Sequence, residues 1–444
     1  MTSTGLRPSS SPPRGARVRL LVVLLAASAF LLSLAGSALK NTVQVYFLPI
    51  ADSFDSSRGA LATATTLFAV ITAVASPLVG GIADRVGGAA TLAIGTALAG
   101  VSFIGCALAG QLWLFIVVYG VVAAFAFVML SFVPLGVLVD ELFREGRKGL
   151  IYALLTNGAA VGFIVLVPLW SWLDNGTTWE SVLLVTGLVF LLVLTPLAVL
   201  TARSSARLTG AEAEVAVDAP TESEEKAQQA AVAHLTFGER LKAAVRVREL
   251  KVLAVAFFSC GVTMAFIDVH FVPMVHDHGM GDTTSSTAIV LLGVFEVAGG
   301  LLAGWLCDRG LIKAVLVGAY ALRGAAMLLV SVAEEPVPVM AFGIVFGISY
   351  LATVVATTMW AAGALPARVR GTGMGLVWAI HAAGTAIGSQ AGASLADLTG
   401  SYTVATLASA ALAACACLLV SVTPAPGRGS AGPAEPAEPS ESSR

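Results

Sequence analysis

The side chains able to do chemistry are few, and they lie inside long apolar runs: Lys40, Asp268, His270, Glu296, Arg323 and His381. An ionisable group at the centre of a bilayer costs about 2.5–3.5 kcal/mol on insertion scales, so each of these needs a partner or a function. Ser33, Ser37, Lys40 and Gln44 recur at helical spacing and share one stripe. Lys40 on such a stripe suits an anionic solute; the alternatives are a structural ion pair and snorkelling to the membrane surface. Ser259, Thr263 and His270 form another stripe, and Asp268 falls roughly opposite, because two residues turn a helix about 200°. Only a distortion at Pro273 would bring Asp268 and His270 to one cavity. Histidine is the side chain best suited to exchanging protons at physiological pH, so His270 is a candidate proton carrier.

Glu296 shares a stripe with Gly293, Gly300 and Gly304. It reads either as a protonatable coupling acid or as the buried partner of Arg323, which is itself read as a structural charge. His381 shares a stripe with Gly384 and Gly388. Tyr119 and Asn157 are neutral candidates for hydrogen bonds to a substrate. The runs Gly158–Gly162 and Gly384–Gly388–Gly392 allow close helix approach and are read as the sliding surface between two halves. Cys106, Cys260, Cys307, Cys415 and Cys417 lie in apolar runs without a CxxC, so small core residues are expected, with no metal site, disulfide framework or cofactor.

These residues need elements that hold them in a membrane. The 444-residue chain is 57% hydrophobic and only 12% charged, with net charge −2. That excludes an ordinary soluble enzyme, a disordered chain and a nucleic-acid binder. Twelve apolar blocks between residues 19 and 423 are each long enough to span a bilayer. An all-α polytopic protein of twelve transmembrane helices in two six-helix pseudo-repeats is expected. The predicted organisation is a tail over 1–18, a bundle over 19–200, a linker over 201–250, a bundle over 251–423 and a tail over 424–444. Within the linker, 235–249 reads as a short basic amphipathic helix on the membrane surface. With both ends inside, the alternating loops leave Arg58 as the lone basic residue outside, and Lys40 and Arg323 within spans. This bias predicts a plasma-membrane protein with cytoplasmic tails and linker.

Pro49 and Pro273, Asp84 and Asp308, and Gly149 and Gly373 are all separated by the same length of chain, as parallel repeats require. Gly80-Gly81-Ile82-Ala83-Asp84-Arg85-Val86-Gly87 follows the second span, and Gly304-Trp305-Leu306-Cys307-Asp308-Arg309 echoes it after the eighth. With the six-plus-six plan, these loops resemble the signature of the major facilitator superfamily. Tyr46-Phe47-Leu48-Pro49-Ile50, His270-Phe271-Val272-Pro273 and Asp397-Leu398-Thr399-Gly400-Ser401-Tyr402 are similar to the monocarboxylate-porter and oxalate/formate antiporter branch. Two positions depart from the pattern. Gly88 and Ala89 replace the basic residues usual after the loop glycine. Gly300 stands where the branch commonly has an arginine thought to hold the substrate carboxylate, and by spacing to Pro49 the branch's span 1 cation falls on either Lys40 or Asn41.

The resemblance implies secondary transport of a small organic solute by alternating access, with a small carboxylate as substrate and protons as coupling ion. Gly81, Asp84, Arg85, Asp308 and Arg309 would form gating loops. Asp84 either stabilises its own turn or caps a helix of the opposite half in one access state. The expected partners are the solute, protons and lipid, with no nucleic acid, and a monomer is expected. Export of a hydrophobic metabolite or drug is the alternative within transport. A non-transporting sensor is the alternative of another class, although neither tail nor linker offers a signalling domain. No nucleotide-binding or hydrolase motif is present, so an enzyme is not expected.

Overall fold

A computed structural model describes residues 14–143, 147–174, 176–215 and 235–424. The N-terminal tail before residue 14, most of the acidic linker and the C-terminal tail after 424 lie outside the described residues. Among the described residues the regular structure is helical throughout.

Among the described residues, eleven helices are long and apolar enough to cross a membrane. They are α1 Leu21–Val45, α2 Gly59–Val86, α3 Gly88–Ala107, α4 Leu112–Leu142, α5 Lys148–Leu173, α6 Trp179–Leu208, α7 Arg248–Asp277, α8 Thr283–Asp308, α9 Ile312–Ser331, α10 Pro336–Ala364 and α12 Thr403–Val422. The twelfth expected span is α11, Arg370–Thr399, a 30-residue helix. It is long enough to span, but its glycine, serine and threonine content keeps it out of the apolar set. Glycine suits its place: α11 packs along both α7 and α2, and small residues let backbones touch.

Local chemistry fixes the ends. Ser57 accepts a hydrogen bond from the Ala60 N–H at the start of α2, and Thr178 does the same for Ser181 at the start of α6. Gly87 joins α2 to α3 at φ 88°, a conformation that strains any residue with a Cβ. The helices are also locally broken. α1 turns at Ser37, α4 carries a π-turn over Val118–Ala123, and α7 carries one over Phe266–His270, just before Pro273. The last stretch of α6, Thr195–Val215, runs past residue 200, so the helix outlasts the predicted end of the first bundle.

Packing follows the repeat. In the first half α1 lies on α5, and α3 on α6; in the second, α7 lies on α11, α8 on α10 and α9 on α12. The glycine runs do not separate the halves as expected. Gly158 and Gly162 press against Phe30, Ser33, Leu34 and Ser37 of α1, and Gly384 and Gly388 against Phe258 and Val262 of α7. They seal each half internally. Between the halves, α2 meets α11 and α5 meets α8. The close backbone approaches there are Gly80 to Gly371, Gly375 to Ser76, and Gly149 to Gly304. Val290, Val294, Leu302 and Trp305 are exposed on α8, as a lipid-facing surface requires. Cys106, Cys260 and Cys307 are buried as expected, whereas Cys415 is exposed on α12.

Candidate functional site

The two signature loops act on helix N-termini across the half interface. A helix start leaves backbone N–H groups without partners, and the helix dipole favours an anion there. Asp84 accepts from the Gly371 N–H at 2.6 Å, the Thr372 N–H at 2.9 Å and the Thr372 hydroxyl at 2.6 Å. Asp308 accepts from the Gly149 N–H at 2.7 Å and the Leu150 N–H at 2.9 Å. Each aspartate therefore caps the helix that opens the matching span of the other half. By contact, the residue equivalent to Gly149 is Gly371, two positions before the Gly373 that the sequence offset selects.

Three further groups close this end. Asp140 of α4 takes Lys148 at 2.8 Å and Arg370 at 2.8 Å, binding its own half and the other. Glu141 accepts from the Gly88 N–H, so the glycine that replaces a basic residue lets α3 start against α4. The missing positive charge comes from the linker. The helix Phe237–Arg246 is closed by a reciprocal cap between Thr236 and Glu239. The Thr236 N–H and hydroxyl hold the Glu239 carboxyl below its ordinary range. This helix lays Phe237 against Gly81 and buries Arg240 fully, its guanidinium 3.8 Å from Asp84 and donating to the Arg368 carbonyl. Arg85 donates to the Leu235 carbonyl, and Arg309 stacks on the Trp305 ring. Sequence reasoning missed Asp140, Glu141, Arg240 and Arg370. The adjacent Asp140-Glu141 pair, next to the basic Arg147-Lys148, was the available signal.

The buried candidates separate into structural and cavity groups. Arg323 is fully buried and hydrogen-bonds neutral groups only. Its Nε donates to the Ser349 hydroxyl at 3.0 Å, Nη1 to Thr263 at 3.1 Å, and Nη2 to the Ser349 carbonyl at 2.9 Å. The Phe346 ring lies 4.5 Å from the guanidinium carbon. No ion pair joins it to Glu296, so the alternative of a buried Glu296–Arg323 pair is not what the structure shows: hydroxyls and carbonyls of α7 and α10 already occupy the fork. His270 is buried, with Nε2 2.9 Å from the Ser389 carbonyl and its ring against Gly392. His381 is buried with Nε2 3.3 Å from the Met264 sulfur, beside Phe257 and Trp378. Both histidines therefore fasten α7 to α11. Tyr119 is buried in a ring stack between Phe68 and Phe115, inside the first half.

Five candidates remain outside these contacts. The α1 stripe splits at the Ser37 break: Ser33 and Ser37 are buried against α5, while Lys40 and Gln44 are exposed. Lys40 faces Asp268 of α7 at 3.8 Å, with side chains 47% and 40% exposed. Asn41 is buried and its Nδ2 has no partner. Glu296 lies on the α8 face that meets α5, since Gly293, Gly300 and Gly304 on that stripe approach Ile164, Asn157 and Gly149. It is half-buried and has no hydrogen-bond or ion-pair partner among the described residues. Asn157 is buried next to Gly300, with both amide atoms unpartnered. Among the described residues no cluster of His, Cys, Asp or Glu suits a metal ion.

Two helical halves, latched across one end and holding ionisable groups between them, are the architecture of an alternating-access membrane transporter. The comparisons make the assignment: the chain belongs to the Major Facilitator Superfamily, whose sequence model matches residues 25–389 and again 252–442. It is 25% identical over 379 residues to the MFS-type transporter YcxA of Bacillus subtilis (strain 168), covering 84% of this chain and 88% of that one. It is 24% identical over 415 residues to monocarboxylate transporter 12 of Rattus norvegicus, covering 90% and 84%. Its fold matches the proton:xylose symporter XylE bound to 6-bromo-6-deoxy-D-glucose, with TM-score 0.67, 13% identity and coverage of 90% and 95%. It also matches the transporter FucP in the outward conformation, with TM-score 0.66, 15% identity and coverage of 90% and 97%. The chain is thus a multi-pass membrane transporter rather than an enzyme.

Proposed function

We propose that this transporter carries a small organic carboxylate by alternating access, coupled to protons, with the linker side in the cytoplasm of a plasma-membrane protein. The observation that carries the reading is Glu296, an acid without a partner on the α8 face that must part from α5 when the linker end opens. An acid in that position gains and loses water contact as the halves rock, so it can load a proton on one side and release it on the other. Lys40, half exposed on α1, supplies the positive field that an anion requires. The latched linker end and the exposed Lys40–Asp268 pair correspond to an outward-facing state. Likeness to a monocarboxylate transporter supports the substrate class.

The test is initial flux of short organic acids into proteoliposomes under an imposed pH gradient. Wild-type protein is expected to move at least one acid faster with the gradient than without it. Glu296→Gln is expected to lose that acceleration by about tenfold while retaining exchange. Full gradient dependence in the variant would remove Glu296 from the coupling role. A second reading is favoured by Gly300 and the orphaned amide of Asn157, which put a neutral surface where a carboxylate-binding arginine would stand. That reading is export of a less polar solute, and it gains if no acid in the panel moves.

A further inference from the structure

Among the described residues the charged pairs differ in length and in exposure, and Arg240–Asp84, at 3.8 Å, is fully buried. Asp140–Lys148 and Asp140–Arg370 are 2.8 Å contacts with side chains 11–29% exposed. That is the length of a formed charge-assisted hydrogen bond. Lys40–Asp268 is different: 3.8 Å long, with both side chains about half exposed. It joins α1 of the first half to α7 of the second, away from the latched linker end. Its geometry is set by a break in each helix. α1 turns at Ser37, which frees Lys40 from the α5 contact that buries Ser33 and Ser37. The π-turn Phe266–His270 sends His270 into α11 and leaves Asp268 pointing the other way, toward Lys40.

We propose that Asp268 is an internal competitor for the substrate anion at Lys40, a specificity-setting carboxylate that a substrate carboxylate must displace. This rests on the carboxylate reading given above. A loose, wet pair has little to lose on exchange, since solvent-exposed ion pairs contribute little. Asp268 holds one carboxylate beside the ammonium when the site is empty, and the substrate supplies another when it is full. The exchange also cuts the bridge between α1 and α7, so occupancy is read by both halves. The groups around Asp268 agree with this role. Lys40 faces it from α1, and the groups of α8 and α10 that feel the charge of Asp268 are Glu296 and Tyr350, neither of which is cationic. Lys40 is the one cation paired with it among the described residues, so an incoming anion and Asp268 seek the same partner. The device also selects by charge: a neutral solute cannot offer Lys40 a replacement for Asp268.

The experiment measures apparent affinity for acetate, propionate, butyrate and valerate as thermal stabilisation of the purified full-length protein in detergent. Lys40→Ala is expected to weaken the best of these acids by at least about tenfold. Asp268→Asn is expected to tighten it by about two- to fivefold, the upper part of the range of an exposed ion pair converted to an equilibrium constant. Asp268→Ser, which also removes the charge, is expected to act alike, and the ligand-free melting temperature of each variant reports folding separately. In the Lys40→Ala background, Asp268→Asn is expected to change affinity by less than about twofold, because the contested cation is gone. If Lys40→Ala weakens binding but Asp268→Asn and Asp268→Ser leave it unchanged or weaker, the competition is refuted and the anion site stands. An equal tightening with and without Lys40 also refutes it, since only the general field has then changed. If no acid in the series stabilises wild type or Asp268→Asn, the carboxylate reading itself fails, and the competition with it.

Discussion

At the scale of single residues, the molecule treats its buried charges by two rules. Away from the linker-end latch, where Arg240 meets Asp84, a charge with no access to water is met by neutral dipoles, and a charge facing the gap between the halves is left under-paired. Arg323 follows the first rule. Its guanidinium is met by Ser349, Thr263, Tyr350 and Thr353, so the chain needs no carboxylate there. Arg323→Ala is expected to strand these hydroxyls and carbonyls and to cost roughly 3 kcal/mol or more of stability. Adding Glu296→Gln is expected not to restore it, as read by the yield and melting temperature of monodisperse protein. Rescue by the second substitution would mean that the two charges do pair. The sequence marked Arg323 as structural because an arginine in an apolar run is costly. It did not disclose the partners, which come from α7 and α10 and are ordinary hydroxyl residues in their own segments. Lys40 was marked by its cost and its polar stripe and Asp268 by cost, and their meeting depends on two local helix breaks.

At the scale of elements, the linker-end closure is a pair of helix caps exchanged between the halves, and the two caps differ in strength. Asp308 has two backbone donors, whereas Asp84 has two backbone donors, the Thr372 hydroxyl and the nearby Arg240. Asp84→Asn is therefore expected to open the linker end more than Asp308→Asn does, seen as faster alkylation of a cysteine placed on the α2–α11 contact. Arg240→Ala is expected to act in the same direction as Asp84→Asn and to add little to it, because both act on one latch. Additive opening would place Arg240 outside the latch. A bulkier test is Gly371→Leu. A Cβ at 371 would meet the Gly80 carbonyl oxygen at 2.5 Å, so this variant is expected to keep the linker end from closing. The loop motif was legible from Asp84, Asp308 and their spacing. The cap it makes was legible only as one of two alternatives. Arg240 was invisible, because a basic residue on a linker helix reads as a surface charge until the helix is seen lying on the latch.

At the scale of the whole molecule, the positive-inside pattern predicts which face is which. Cysteines placed at Ser204 in the linker-side extension of α6 and at Glu334 in the opposite loop are expected to differ in intact cells. Only the Glu334 position should react with an impermeant thiol reagent. Labelling of position 204 from outside would overturn the orientation. What the sequence by itself determined is what depends on composition, period and order along the chain. Long apolar runs can only become helices in a bilayer, because backbone polar groups must find partners within the segment. A repeated motif at one fixed spacing implies two similar halves. The tertiary structure alone decided which faces meet. The Gly158–Gly162 and Gly384–Gly388 runs have the same local signature as Gly80, Gly371 and Gly375, yet the first two runs seal a half internally and the last three glycines join the halves. A small residue says that some backbone comes close, and nothing in its neighbours says whose. The same holds for Lys40, Asp268 and Glu296: their cost in a membrane marked them, and only the packing of α1, α7, α5 and α8 decided that Lys40 would meet Asp268 while Glu296 kept no partner.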